Sequence, residues 1–298
     1  MDYYNEIKNE LIDNEINKQV KDFSKNKYEL QKYYNVGNLL IEAQGGEERA
    51  KYGNGLIKEY SKRLTLDLGK GYSTRTLKYM RKFYLLKIRQ PIAAQLSWSH
   101  YIELLKLKDD NTILYYINQC KILNLTRDQL RERIKNKEYE RLPENTKNKL
   151  VTKEDIKVQD FIKNPILIKS NNKKERISEK LLQKLILEDI ESFMKELGNN
   201  FCFIGSEYKI KIGNNYNFID LLLFNIEFNC YVVIELKVTE LKKEHIGQIE
   251  VYMNYIDKNV KKINHDSTIG IIICRKNNKF VMEYCSDKRI LAKEYELV

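Results

Sequence analysis

The chain has no apolar run approaching the roughly 18 residues that a membrane-spanning helix needs. Its opening stretch, MDYYNEIKNELIDNEI, is charged and amphipathic, unlike a secretory signal. Cysteine is sparse: five residues, an odd number, at positions 120, 202, 230, 274 and 285, with no CxxC. Histidine is sparser still, with His100, His245 and His265 far apart. These scarcities argue against a disulfide framework and a structural zinc site, and they predict reduced, mostly buried thiols in a cytoplasmic protein. Two of only three prolines, Pro143 and Pro165, fall in one polar stretch. No internal repeat is evident.

The 298 residues suffice for about two domains. Hydrophobic residues make up 42% and charged residues 32%, a globular composition with a highly charged surface. A net charge of +11 favours a polyanionic partner such as nucleic acid or an anionic membrane surface. Lysine that merely decorates the surface would give the same balance.

The pattern along the chain predicts an α+β protein of two domains: 1–145 all-helical, 146–175 a linker, and 176–298 an α/β core. Helices are expected at 3–24 and 26–43, the second ended by Gly45-Gly46. In residues 55–86, Leu56, Ile57, Tyr60, Leu64 and Leu68 form one helical stripe. Gly69-Lys70-Gly71 breaks it, and Ser73 can cap a second helix with Leu77, Met80 and Phe83 or Tyr84 inside. Helix, short glycine turn, helix is a helix-turn-helix-like pattern. Arg75, Lys78, Arg81 and Lys82 lie outside the apolar stripe, where cations suit phosphate or major-groove contact. An ordinary helical hairpin with a solvated basic face fits equally well. Further helices are expected at 95–107, 109–123 and 126–139. Trp98 and Tyr101 are expected in the core, and His100 as a hydrogen-bonded structural residue.

The C-terminal pattern reads αβββαβ: a helix at 177–197, strands at 201–212, 216–225 and 230–238, a helix at 242–258, and strands at 268–275 and 279–285. The strands YNFIDLLLF and CYVVIELKV are strongly apolar, and their charged residues are Asp220, Glu235 and Lys237. A hairpin folded about 227/228 sets Asp220 directly opposite Glu235, with Cβ atoms roughly 5 Å apart. Glu235 and Lys237 share a face because side chains alternate along a strand. Two acids converging in an apolar setting call for a cation. Mg²⁺ or Mn²⁺ suits them, with Asp220, Glu235 and the Leu236 carbonyl as ligands. Lys237 would hold or help deprotonate a water, or offset charge on a phosphate. On the next helix Glu244, Gln248 and Tyr252 fall at i, i+4 and i+8, where Gln248 and Tyr252 can orient the phosphate or the water. A solvated Glu-x-Lys pair beneath a helix with a core Tyr252 is the bland alternative.

These residues, with a preceding helix and a following Q-x3-Y helix, resemble the PD-(D/E)XK nuclease superfamily. The stretches FCFIGSEYKIKIG, YNFIDLLLF, CYVVIELKV, HIGQIEVYMNYID and TIGIIICR resemble more closely the YhcG-like family of bacterial nuclease-fold proteins. ERAKYGNGLIKEYSKRL, LGKGYSTRTLKYMRKFY and QLSWSHYIELL match its N-terminal helical domain, so the likeness spans most of the chain. The resemblance implies a restriction-endonuclease-like core and metal-dependent phosphodiester hydrolysis, on DNA before RNA, in defence, mobile-element or DNA-processing settings. It makes Asp220 and Glu235 metal ligands, Lys237 the catalytic lysine, and Gln248 and Tyr252 accessory residues. Cutting both strands of a duplex often takes two such sites, so a homodimer is weakly expected. One departure stands out. Many relatives carry an acid on the helix before the first strand, where this chain has Gln183, with Glu179, Glu188 and Glu207 as nearby substitutes. That departure keeps a second reading open: a nucleic-acid-binding or assembly module on a nuclease fold, with little or no cleavage. A helical scaffold for protein partners is a third.

Overall fold

The computed structural model describes residues 2–17, 25–46, 54–86, 96–152, 154, 157–170 and 177–298. The chain divides into two compact units, Met1–Tyr139 and Glu140–Val298. The first is helical, and the second is built on a mixed sheet.

In the first unit, α1 (Tyr3–Asn17), α2 (Lys25–Ala43), α3 (Asn54–Leu68) and α4 (Thr74–Leu85) precede α5 (Trp98–Leu104), α6 (Asp110–Leu123) and α7 (Arg127–Lys135). Positions 18–24 of the expected first helix, 48–53 of the first family-like stretch and Gln95 of the third lie outside the described residues. Local chemistry sets the helix starts. The side chains of Ser73, Asp109 and Thr126 accept the backbone N–H groups of Thr76, Thr112 and Gln129. The apolar stripe of α4 buries Leu77, Met80 and Phe83. Its tightest neighbour is α2, because a Cβ placed at Gly37 would sit 2.3 Å from the Met80 carbonyl oxygen. Only glycine permits that approach. Phe83 meets Trp98 and Tyr101 at ring distances of 5.5 and 4.6 Å, which puts both expected aromatics in the core. His100 joins the Ser97 backbone N–H to the Leu125 carbonyl, a structural role.

The segment read as a linker is instead largely part of the second unit. It carries α8 (Glu144–Thr152), α9 (Val158–Phe161) and β1 (Ile166–Ile168). Positions 153, 155, 156 and 171–176 lie outside the described residues. Ile162, Ile166 and Ile168 are buried in the sheet's core, and the buried Lys293 ammonium donates to the Ile162 carbonyl at 2.6 Å. Its polar composition hid three apolar anchors in a stretch, FIKNPILI, too short and interrupted to stand out as an element.

Next come α10 (Glu179–Glu188), α11 (Ile190–Leu197), β2 (Phe201–Ile212), β3 (Asn215–Asn225), β4 (Cys230–Glu240), α12 (Lys243–Asn259), β5 (Asp266–Lys276), α13 (Lys279–Glu283) and β6 (Ile290–Leu297). The helix expected over 177–197 is two helices, divided at Asp189, whose carboxylate caps Ser192. The sheet order is β1-β6-β5-β4-β3-β2, antiparallel from β2 to β4 and parallel from β4 to β1. The strand expected at 279–285 is a correction: those residues form α13, and the strand is β6. A strand parallel to β5 needs a crossover, which α13 supplies. Asn278 starts it by accepting from the Phe280 and Val281 N–H groups.

The centre of the sheet is covered on both faces. Leu221, Leu223, Val232, Ile234 and Leu236 share a core with Leu182 and Ile186 of α10 and with Phe193 of α11. Leu222, Val233 and Ile272 share the opposite core with Ile249, Tyr252, Met253 and Ile256 of α12. A Cβ at Gly270 would lie 2.5 Å from the Met253 sulfur, so glycine there lets α12 rest close on β5. Among the described residues no helix is long and apolar enough to cross a membrane.

Candidate metal and phosphodiester site

The site lies where β3 and β4 part. Their ladder pairs Asn225 with Cys230 and ends at Leu221 with Ile234, which is the register expected from the sequence. Asp220 and Glu235 are the next positions, beyond the last ladder pair. Here the expectation of a simple opposed pair needs correcting. One Asp220 carboxylate oxygen accepts the Leu236 backbone N–H at 2.7 Å, and the Asp220 carbonyl accepts the Gln183 side-chain amide at 3.1 Å. On the other flank, the β2–β3 ladder skips Asp220, and nearby Glu207 adopts φ 47. Both ladders yield at the same residue, so side-chain and amide groups satisfy the backbone that the sheet releases.

Glu235 is 1% exposed. Its Oε2 receives the Lys237 ammonium at 3.3 Å, while its Oε1 is buried with no hydrogen-bond partner among the described residues. Burial first, and the Asp220 charge second, push its pKa up to about 8, against the pull of Lys237. Burial also raises Asp220, against the Leu236 N–H and Lys237, with Glu179 and Glu207 adding to the rise. Lys237 is mostly buried and reaches Glu179 of α10 at 3.9 Å. The acid that α10 brings to this lysine is therefore Glu179, at the start of the helix, while Gln183 one turn on holds the Asp220 backbone. Glu188 pairs with Lys184 on the exposed side of α10.

His245 was not singled out from the sequence. Burial and the Lys237 charge lower its pKa, and its Nδ1 accepts the Lys242 N–H. The available signal was spacing: His245, Gln248 and Tyr252 fall at i, i+3 and i+7 on α12, one helix face. Gln248 and Tyr252 hydrogen-bond each other at 3.1 Å, and the Tyr252 ring is buried in the α12 core. The structure thus gathers Asp220, Glu235, Lys237, Glu179 and His245 into one electrostatic cluster, and sets Gln248 and Tyr252 on the helix that carries His245.

Among the described residues no three His, Cys, Asp or Glu side chains form a ready-made metal cage. A magnesium-type ion does not require one, since it keeps several waters and takes one or two carboxylates. The unpartnered Glu235 oxygen beside the half-buried Asp220 carboxylate is the deficit that such a cation would fill.

The four expected nucleic-acid contacts divide. Arg75 and Lys78 are exposed on α4, Arg75 lying against Tyr79. Arg81 donates to Gln44 at 3.1 Å, and burial lowers its pKa. Lys82 is a correction: its ammonium donates to the carbonyls of Leu105 and Leu107, the latter at 2.6 Å, and so serves the end of α5. A lysine at i+4 from Lys78 reads as surface in sequence; only the fold shows what it ties.

A mixed sheet between helices, with acid, acid and lysine on two adjacent strands, defines a PD-(D/E)XK-type domain. The comparisons agree: residues 159–298 match the YhcG PDDEXK nuclease domain, and residues 8–141 match the DUF1016 N-terminal domain. The chain belongs to the YhcG-like family of PD-(D/E)XK proteins. It is 27% identical over 308 aligned positions to the YhcG protein of Escherichia coli (strain K12), covering 89% of this chain and 82% of that one. Two solved structures are more distant. A repair endonuclease from Pyrococcus abyssi is 16% identical, with a TM-score of 0.30 over 41% of this chain and 49% of that one. The EndoMS–dsDNA2 complex is 19% identical, with a TM-score of 0.28 over 43% and 48%. The chain thus spans about half the length of each.

Proposed function

We propose that this protein is a metal-dependent nuclease that hydrolyses phosphodiester bonds in DNA. The observation that carries the reading is Glu235: a buried acid with one oxygen unpartnered and a pKa pushed up to about 8, beside Asp220 and Lys237. Perturbed carboxylates of this kind concentrate at functional sites. In this reading Asp220, Glu235 and the Leu236 carbonyl hold Mg²⁺ or Mn²⁺. Such an ion, when bound, polarises a phosphoryl oxygen and makes water a better nucleophile at neutral pH. Lys237 carries its charge at the scissile phosphate and holds the attacking water. Glu179 keeps Lys237 in place, and Gln183 and the Leu236 N–H fix Asp220. Gln248 and Tyr252 orient the phosphate from α12, with His245 beside Lys237 at the same helix end. Exposed Arg75 and Lys78 contribute phosphate contacts from the helical unit. All five cysteines are free, in keeping with a reducing cytoplasm.

The test is cleavage of plasmid, linear duplex, single-stranded DNA and RNA with Mg²⁺ or Mn²⁺, for wild type beside Asp220→Ala and Lys237→Ala. We expect metal-dependent DNA cutting that falls by about 10³-fold in each variant. Equal cutting by all three proteins would refute the assignment. One observation favours a second reading, a binding module with weak cleavage: Gln183 brings an amide, not an acid, to Asp220. That reading predicts no cutting by wild type, but salt-dependent DNA binding that survives loss of Asp220.

A further inference from the structure

Among the described residues, nothing covers one face of the β2–β3 hairpin. Its inner face sends Ile210 and Ile219 into the α12 core, with Tyr208 packed alongside. Its outer face follows from the register: Lys209 opposite Phe218, and Lys211 opposite Tyr216. Residues directly opposite in an antiparallel pair share a face. Both lysines are exposed there, as are Tyr216 at 56% and Phe218 at 51%. The Lys209 ammonium lies 3.8 Å from the Tyr216 ring centre, and that of Lys211 lies 5.9 Å away. Positions 208–219, YKIKIGNNYNFI, contain two cations and no acid.

The face therefore offers flat rings interleaved with positive charge, and it adjoins the site. Phe218 and Tyr216 precede Asp220 on β3 by two and four residues. At about 3.3 Å per residue they lie roughly 7 and 13 Å away along the strand. Bases stack on exposed rings whatever their identity, but only when they are unpaired, and flanking lysines follow the phosphates. A duplex hides its base faces inside the stack. An ordinary solvated strand would offer the lysines without the rings.

We propose that this hairpin face is a stacking platform for an unpaired DNA strand running along β3 from the metal site, with Tyr216 and Phe218 stacking bases and Lys209 and Lys211 meeting phosphates. The proposal rests on the nuclease reading only for its direction along the strand. It makes single-stranded or frayed DNA the favoured ligand.

The test is fluorescence anisotropy of the full chain with a labelled oligothymidine of about 16 nucleotides, beside a duplex of the same length, in EDTA. Tyr216→Ala with Phe218→Ala should weaken single-strand binding by about tenfold or more and duplex binding by far less. Tyr216→Phe should bind like wild type, and Tyr216→Leu, apolar but not flat, should bind like Tyr216→Ala. Lys209→Gln with Lys211→Gln should lower the slope of log affinity against log salt by about 1.4. Unchanged single-strand affinity in the double aromatic variant would overturn the platform, as would an equal loss on duplex. A drop in light-scattering mass in that variant would assign the face to contact between copies, and would overturn it too. Because no metal or cleavage enters the assay, an inactive enzyme leaves the platform standing, and a failed platform leaves the metal site standing.

Discussion

Glu103 in the helical unit and Glu235 in the sheet unit are both buried glutamates, 6% and 1% exposed. Their surroundings differ. Arg131 reaches one oxygen of Glu103 at 2.7 Å and Lys106 takes the other, so these partners hold its pKa below the usual range despite burial. Glu235 has Lys237 on one oxygen and no hydrogen-bond partner among the described residues on the other, lies beside a second acid, and rises to about 8. Glu103 is satisfied by its own fold and ties α5 to α7. Glu235 is left wanting a positive charge, which a fold does not retain for stability alone. The difference separates a structural acid from a candidate ligand more sharply than burial does.

Variants at three places in the chain would break or sharpen this contrast. The largest effect is expected at Glu235. Its folded pKa lies above its unfolded one, so the native state binds the extra proton. Its stability contribution is full below about pH 4.5 and falls as pH rises toward about 8. Glu235→Gln should therefore stabilise the metal-free protein by about 2 kcal/mol at pH 8 in urea unfolding, while abolishing cleavage. In the wild type, Mn²⁺ binding near pH 7 should release close to one proton, read by calorimetry in buffers of different ionisation enthalpy, and Glu235→Gln should suppress the release. Proton release that persists in the variant would remove Glu235 from the ligand set.

Glu103→Gln should act with the opposite sign. The Glu103 pKa is depressed, so its contribution is present above its ordinary pKa and is lost as pH falls through the folded value. Its partners Lys106 and Arg131 are 44% and 52% exposed and can return to water. The loss should therefore be modest, about 1–2 kcal/mol at pH 7 and vanishing in acid. A stabilised Glu103→Gln protein would erase the contrast.

The smallest effect separates cations in the same way. Arg75→Gln with Lys78→Gln should leave stability unchanged, weaken duplex binding a few-fold and lower the salt slope by about 2. Lys82→Gln should instead lower stability by about 1 kcal/mol, because its ammonium serves two carbonyls at the end of α5. Loss of DNA affinity in Lys82→Gln at unchanged stability would return Lys82 to the interface.

Alternation and symmetry along two apolar strands were enough to read the hairpin register and to bring Asp220, Glu235 and Lys237 together. Both are local: a strand repeats every two residues, and one short turn sets the partner. Periodicity likewise marked α3, α4 and α12, and the capping residue Ser73 marked where α4 begins. What failed was non-local. The strand expected at 279–285 ignored that a parallel neighbour needs a crossover. The polar connector hid Ile162, Ile166 and Ile168, whose partners lie far along the chain. Lys82 looked like its exposed neighbours until Leu105 and Leu107 came within reach.

The sequence by itself determined the division into a helical part and a sheet part, the β3–β4 register and the placing of Asp220, Glu235 and Lys237 on two neighbouring strands, because these follow from residue type and spacing. Only the tertiary structure decided that Asp220 grips the Leu236 N–H, that Gln183 holds the Asp220 carbonyl, that Glu179 and His245 stand beside Lys237, and that one Glu235 oxygen has no partner. Those facts concern which polar groups are left unmet when distant segments pack and water is expelled, and spacing along one chain carries no record of that.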